Sequence, residues 1–546
     1  MQRFPTALFA VLAGLASVLG AQGSQAADAH GTVDNMLSAV VSSSDGTNAT
    51  RSSTSKTLSH RFVPASTPAT DPVAARWRST VSRRLAALAQ DHGQRNAPPQ
   101  TAESEAKQTA LVAQLDRMTA HARQIADVGI AVRRLDTGAP VFSYHADRGL
   151  NPASNHKLLT AIAAVELLGA DYRFSTEVRV QGDRLVLVGD GDPSLQVEDL
   201  RALAAQTLAS GLDLAKIRSI VADDSAFSAR RFGPGYSEDG PGWSYLAPSG
   251  ALSLQFNTVT VAVRRGNASS APKVTVSPPC AHVVVDNHAQ AGLKTRISVQ
   301  TYARGTTTVV EVRGTLAAHS TVSERRRISD PARFAASSFA TALATLTSRS
   351  ALPVVMGTAP AEAKTIARHD SAPLPEVLSA ALVFSNNFTS EQVLRTLGRR
   401  MSGAPGDWKN GHVALDRFWS AIGRDHGELT FENASGYSRQ GRLTADAIVA
   451  LLAVTQRVGA PSETLVGILP AAGRSGTIRH RMTGSHGRVR AKTGTLAGAN
   501  ALSGLVVSRD GQRALGFSIL VNGSMPHHSS RRLQDRIVMA LVEHLD

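Results

Sequence analysis

The sequence predicts a mixed α/β (α+β) protein in which a helix-and-strand domain is split by a large β-rich insertion. Three observations carry that expectation. Hydrophobic residues make up 42% of the 546-residue chain, enough to fill a large core. Apolar residues recur at helical spacing on both flanks, as at Leu111, Leu115 and Met118 and again at Leu533, Ile537 and Leu541. Between about 176 and 320 the pattern changes to short alternating runs, such as 259–263 and 308–312, separated by Gly, Pro and Asp.

Composition narrows the classes further. A single cysteine, Cys280, excludes an intramolecular disulfide framework and any Cys-based zinc cluster. Lys and Arg number 58 against 43 Asp and Glu, a formal net charge of +15. Such a charge suits an anionic polymer such as a cell wall as well as a nucleic acid. The basic residues form no long run, 325–327 being the densest, so nucleic acid is not an expected partner.

From the N-terminus, Arg3 is followed by an apolar run over 7–19 and by small residues over 20–27. This is the pattern of a secretory signal peptide, cleaved after Ala26 or Ala27, so 1–26 is assigned to it. A run of about thirteen residues is shorter than the ~20 a membrane helix needs. No cysteine lies nearby to carry a lipid, and no later stretch is long and apolar enough to span a bilayer. The expectation is export to the periplasm or cell-wall space, with no stable membrane span. Residues 27–103, rich in Ser, Thr, Ala and Pro, read as a disordered linker, with a short helical fragment at Trp77 and 85–88.

Order is expected from 104. Over 104–175 a helix precedes a strand at 128–135, a turn at 136–138, a partner strand at 141–144 and a helix burying Leu158, Ile162, Val165 and Leu168 on one face. Residues 176–365 form the β-rich insertion, with a helix at 334–346 near its end. Residues 366–546 return to helices at 374–382, 390–397 and 444–454. A hairpin of 501–507 and 514–521 and a terminal helix follow.

Three short motifs bear chemistry. Ser154-x-x-Lys157 places a hydroxyl and an amine at i and i+3 of a helix, where they meet. A neutral lysine there can take the serine proton, and the Ser154 N–H at the helix start can face an oxyanion. Alone, the motif is a chance match in a Ser-rich chain. Ser385-Asn386-Asn387 precedes a helix and by itself reads as an N-cap cluster. Lys492-Thr493-Gly494-Thr495 lies on an expected edge strand, where a cation and a hydroxyl can pair with a carboxylate. Gly494 would let a substrate backbone approach.

In this order, behind a signal peptide, the three resemble the Ser-x-x-Lys, Ser-x-Asn and Lys-Thr-Gly set of penicillin-recognising acyltransferases and serine β-lactamases. From Ser154 to Ser385 is 231 residues, and from Ser385 to Lys492 is 107. The long first gap resembles that of the D-alanyl-D-alanine carboxypeptidase/endopeptidase family, the class C low-molecular-mass penicillin-binding proteins. So do the segments 188–195, 222–227, 247–253, 434–439 and 469–481. Two residues depart from the family pattern: Asn386 stands where Asp is usual, and Tyr437 replaces an apolar residue.

The resemblance implies a β-lactamase/transpeptidase-like serine acyltransferase domain split by the insertion. It implies a serine-type D-Ala-D-Ala carboxypeptidase with endopeptidase activity, acting on peptidoglycan stem peptides and covalently inhibited by β-lactam antibiotics. Ser154 is then the nucleophile and Lys157 the base. Ser385, hydrogen-bonded between Lys157 and Lys492, relays a proton to the departing amine, and Asn387 holds the substrate amide. Lys492, Thr493 and Thr495 take the terminal carboxylate, and the Ser154 and Thr495 N–H groups form the oxyanion hole. Arg439 is a cleft residue, and Asp223 a contact from the insertion to a cationic stem-peptide side chain; for each, a structural ion pair or cap is the competing reading. No metal or nucleotide cofactor is implied. The rivals are a β-lactamase on the same fold, against which the 231-residue gap argues, and a wall-binding scaffold with a decayed site, against which the complete motifs argue.

Overall fold

The computed structural model describes residues 83–84, 102–424, 429–430, 432–457 and 459–546. The expected signal peptide, almost all of the expected linker and its helical fragment at Trp77 and 85–88 lie outside these residues.

In chain order the first part holds α1 (Ala102–Ile125), β1 (Ala126–Arg134), β2 (Pro140–Tyr144) and α2 (His156–Leu168). Next come β3 (Ser175–Gln181), β4 (Arg184–Gly189), α3 (Val197–Ala209), β5 (Ser219–Asp223), β6 (Thr258–Arg264), β7 (Lys273–Ser277), β8 (Val283–Ala291), β9 (Arg296–Arg304), β10 (Thr307–Leu316), β11 (Thr321–Arg327), α4 (Pro331–Thr347), β12 (Val354–Met356) and β13 (Lys364–Asp370). The last part holds α5 (Leu374–Val383), α6 (Asn387–Ser402), α7 (Trp408–Ala421), α8 (Ala445–Val454), α9 (Glu463–Ile468), β14 (Val489–Leu496), β15 (Ala499–Val507), β16 (Ala514–Gly523) and α10 (His527–His544).

Strands from both ends of the chain share one antiparallel sheet, ordered β14-β15-β16-β1-β2. The period of two in β1 and β16 divides their side chains between two cores. Val128, Ile130, Val132, Phe517 and Ile519 pack with Leu111 and Leu115 of α1 and Ile537 and Leu541 of α10. Ala131 and Leu520 face the opposite way, into a core built by α2, α5, α6, α7 and α8. The sheet is thus covered by helices on both faces.

The helix after the first motif differs from its expected form. One buried face was predicted, yet every residue of α2 is buried. A helix that is apolar nearly all round belongs inside a core, and here α5, α6, α7 and α8 all contribute to the core around it. Its C-terminus is held by Arg84, whose guanidinium donates to Leu167 O at 3.2 Å. At least this residue of the expected linker therefore packs on α2.

The insertion is less purely β than predicted. Its first sheet, β12-β5-β4-β3-β13, is mixed: β4, β5 and β12 are parallel and β3 is antiparallel to both neighbours. A parallel β4–β5 pair needs a crossover, which α3 supplies. That helix was not predicted, although the Gln196 N–H donating to the Asp199 carboxylate at 2.9 Å marks its start. Two three-stranded sheets, β11-β6-β7 and β8-β10-β9, complete the region. The predicted boundary at 365/366 falls inside β13, which pairs with β3, so the insertion's sheet runs on to Asp370.

Helix α6 joins the insertion to the rest. Arg395 is fully buried and donates to Gly406 O at 3.1 Å, Ser249 O at 3.2 Å and Ser228 O at 2.7 Å. Its guanidinium lies 4.5 Å from the ring centroids of both Phe227 and Trp408. One turn on, Arg399 and Arg400 both pair with Asp190 of the insertion.

Candidate active site

The cluster begins in a strained turn. Ala153 has φ +45°, an uncommon value for a residue with a Cβ, and Ala153–Asn155 form a 3-10 turn that runs into α2. Two glycines close around it. A Cβ on Gly436 would lie 1.9 Å from Ala153 O, and one on Gly494 would lie 2.7 Å from Pro152 O. Gly494 lets β14 approach the segment before Ser154, where a Cβ would meet the protein's own backbone.

The first motif forms as expected. Lys157 Nζ lies 3.0 Å from Ser154 Oγ and donates to Asn387 Oδ1 at 2.8 Å and to Ser435 O at 2.7 Å. Lys157 is fully buried. Its pKa falls well below 10.5, first through desolvation, then through repulsion by Lys492, with Glu391 opposing.

The second motif divides its labour. Asn386 is the N-cap of α6, its Oδ1 accepting from Thr389 N–H at 3.0 Å. Asn and Asp cap equally well, which accounts for the departure at this position. Ser385 and Asn387 turn into the cluster, with Ser385 at φ +59°. Ser385 Oγ accepts from Lys492 Nζ at 2.9 Å. The amide of Asn387 reaches Lys157 through Oδ1 and donates through Nδ2 to Tyr245 O of the insertion at 3.1 Å. Asn387, rather than Ser385, therefore meets Lys157 directly.

The third motif lies on β14, the edge strand of its sheet. Lys492 Nζ also donates to Thr493 O at 2.8 Å, and burial lowers its pKa to about 7. Thr493 Oγ1 is hydrogen-bonded to the exposed Thr477 Oγ1 at 2.8 Å, and Thr495 is exposed.

The two remaining candidates fare differently. Arg439 is exposed, beside Tyr437, whose phenol its charge acts upon. Asp223 is not brought to the cluster. It is 3% exposed, and its carboxylate accepts from Ser225 N–H at 2.9 Å and Ala359 N–H at 2.6 Å. Two of the carboxylate's roughly four acceptor positions are thus used to cap backbone N–H groups, which favours the competing reading of a structural cap. Sequence reasoning placed Ser435 and Thr477 in family-like segments without a role and missed Tyr245. Ser435 and Tyr245 act through backbone carbonyls, which no side-chain motif encodes.

Comparison with known proteins now bears on this geometry. The model of the "D-Ala-D-Ala carboxypeptidase 3 (S13) family" matches residues 111–544. The chain belongs to this family. As a member it is a serine-type D-Ala-D-Ala carboxypeptidase, with Ser154, Lys157, Ser385, Asn387 and Lys492 inside the matched region. Among curated relatives, the D-alanyl-D-alanine carboxypeptidase of Actinomadura sp. (strain R39) is 35% identical over 447 residues, covering 76% of this chain and 81% of the relative. Carboxypeptidase DacB of Mycolicibacterium smegmatis is 28% identical over 428 residues, covering 73% and 78%. Among solved structures, penicillin binding protein 4 (dacB) from Haemophilus influenzae superposes with a TM-score of 0.67 at 20% identity, over 78% of this chain and 99% of its own. The same H. influenzae protein complexed with a novel β-lactam gives 0.62. The S13 carboxypeptidase therefore has the fold of penicillin binding protein 4.

A stability consequence follows from Lys492. Its folded pKa is about 7, below the ~10.4 of an exposed lysine. The unfolded chain then binds more protons between those values, so stability rises with pH across that window. Below pH 7 the buried cation costs stability in full. Lys492→Met is expected to raise unfolding free energy by about 1–3 kcal/mol at pH 6, with the gain fading toward pH 10. Urea unfolding at both pH values measures this, and a variant less stable at pH 6 would refute it.

Proposed function

We propose that this carboxypeptidase cleaves peptidoglycan stem peptides ending in D-Ala-D-Ala, and opens cross-links between two stems, through an acyl-enzyme on Ser154. The observation that carries the reading is the bonding of Lys157. A neutral amine has two N–H donors and one lone pair. The Asn387 and Ser435 oxygens take the two donors, so the lone pair remains for the Ser154 hydroxyl at 3.0 Å.

Ser154 Oγ then attacks the penultimate D-Ala carbonyl while its proton passes to Lys157 Nζ. The oxyanion that forms is met by the N–H groups of Ser154 and Thr495, each such donor being worth about 10²–10³ in rate. Collapse breaks the peptide bond, and the proton that Lys157 took from Ser154 passes to the leaving amine, relayed by Ser385 Oγ, so that Lys157 is neutral again. Water, deprotonated by Lys157, attacks the ester and frees Ser154. Lys492, Thr493 and Thr495 hold the terminal carboxylate, with the substrate backbone along the open edge of β14. Arg439 contributes at the rim of the cleft. The catalytic body comprises 104–175 and the chain after Asp370, and the intervening region flanks the cleft through Tyr245. Export to the periplasm or cell-wall space is proposed from the N-terminal pattern. Among the described residues no helix is long and apolar enough to cross a membrane.

The test is labelling with a fluorescent penicillin followed by mass mapping of the adduct. A persistent adduct on the peptide containing Ser154, together with D-Ala release from a stem peptide, is the expected result. Rapid turnover of the penicillin would indicate a β-lactamase, and an adduct elsewhere would sink the assignment.

A further inference from the structure

Glu391 stands one helical turn beyond Asn387 on α6, and the i, i+4 spacing puts the two side chains on one face. It is 3% exposed. Its carboxylate meets donors on both oxygens. Oε1 accepts from the Ser435 N–H at 2.9 Å and from the Tyr236 hydroxyl at 3.1 Å. Oε2 accepts from the Trp408 indole N–H at 2.7 Å and from the Ala434 N–H at 3.2 Å. An ionised carboxylate offers about four acceptor sites and no donor, so this set of partners suits the acid and not its amide.

The same two residues turn their carbonyls the other way. Ala434 O accepts from Thr160 Oγ1 at 3.0 Å and faces His156 Nδ1 at 3.3 Å, while Ser435 O accepts from Lys157 Nζ at 2.7 Å. The turn is therefore a bridge, with its N–H groups on Glu391 and its C=O groups on the helix of the nucleophile. Bonds linked in this way polarise one another. Tyr236, in the inserted region, ties into both ends: its hydroxyl reaches Glu391 and also Ser435 Oγ at 2.9 Å.

We propose that Glu391 is a positioning residue for the acylation step. By anchoring the Ala434–Ser435 turn it fixes the carbonyl on which Lys157 rests, and so sets the amine against Ser154. Through Tyr236 it makes that placement depend on the insertion. Glu391 touches neither the nucleophile nor the carboxylate-binding motif and acts only through the turn. The proposal rests on Lys157 as the base.

The experiment compares Glu391→Gln and Tyr236→Phe with the unaltered enzyme, measuring the rate of acylation by penicillin from pH 5 to 10. The charged and titratable groups facing Lys157 are Lys492 from β14, Glu391 from α6 and His156 beside it on α2. Tyr236 faces Glu391. Glu391→Gln sets an NH₂ against donors and displaces the turn, so the plateau rate is expected to fall about 10²-fold, the usual cost of a misplacement near 1 Å. It also removes an opposite charge near Lys157, so the acid limb is expected to move to lower pH. Tyr236→Phe keeps the carboxylate and the backbone donors but removes the hydroxyl's bonds to Glu391 and Ser435 Oγ, and about a 5–100-fold fall with an unmoved limb is expected for two lost hydrogen bonds. A folded Glu391→Gln that acylates at the normal rate, or slows with its limb unmoved, overturns the proposal. Should Glu391→Gln fail to fold, Tyr236→Phe decides: slowed acylation supports the proposal, and a normal rate overturns it. Lys157→Ala separates the underlying reading, since normal acylation by that variant refutes the base assignment whatever Glu391 does.

Discussion

Ser154→Ala is expected to end both penicillin acylation and D-Ala release, with a loss on the order of 10⁴–10⁶ in rate, as for other nucleophiles that act with a paired base. The fold should survive. Ser154 is a partly buried residue on a 3-10 turn, and its Oγ meets only Lys157 Nζ among the side-chain bonds described. Lys157→Ala is expected to slow acylation by a comparable factor while noncovalent binding at β14 persists, because the proposed carboxylate site of Lys492, Thr493 and Thr495 does not include it. The decisive comparison is the double variant. Nucleophile and base act as a unit, so removing both should cost scarcely more than removing one. Stopped-flow acylation of all three variants gives the answer. A double variant much slower than either single variant would show that the two residues contribute independently.

The second large effect is on pH dependence. For a peptide ending in a free carboxylate, kcat/KM is expected to be bell-shaped, reporting groups of the free enzyme. As pH falls through its own pKa, Lys157 takes up a proton and loses the lone pair that activates Ser154, giving the acid limb. As pH rises through about 7, Lys492 loses the charge proposed to meet the substrate carboxylate, giving the alkaline limb. Both lysines are buried and interact, so the limbs belong to the pair. A substrate ending in a carboxamide should lose the alkaline limb alone. Lys492→Ala should lower kcat/KM for the carboxylate substrate about 10–100-fold, the worth of a charge-assisted hydrogen bond. It should also move the acid limb to higher pH, since Lys157 would no longer be repelled by a neighbouring cation. An acid limb that stays in place in Lys492→Ala would refute the coupling.

Much of this site was legible before any coordinates. Ser-x-x-Lys is a local geometry: i and i+3 of a helix meet wherever that helix lies, and Ser154 and Lys157 do so at 3.0 Å. Ser385, Asn387 and Lys492 were readable through motif order and spacing. The hairpin expected around 510–511 appears as β15 and β16, because alternation and an Asp-Gly turn are also local signals. Errors arose where tertiary contacts overrule local pattern. Helix α2 was read as half-buried because its own periodicity cannot report the helices packed around it. Helix α3 went unseen among alternating runs, although the parallel β4–β5 pair requires a crossover there.

The assignments at Gly494 and Asp223 show the same division. Sequence identifies a residue without a Cβ and a residue with a carboxylate, but not what stands opposite. In the folded chain Pro152 O, from a segment some 340 residues earlier, occupies the space beside Gly494, and the N–H groups of Ser225 and Ala359 occupy the oxygens of Asp223. The most consequential partner of Lys157 is likewise invisible in one dimension. Ser435 contributes a backbone carbonyl, a group every residue has, and only the turn anchored on Glu391 aims it at the amine. By itself the sequence determined which side chains are candidates for the chemistry and the close spacing of the first pair. The tertiary structure alone decided that burial lowers the pKa of both lysines, which carbonyl accepts from Lys157 and which carboxylate caps backbone donors, because burial and backbone direction depend on neighbours distant in the chain.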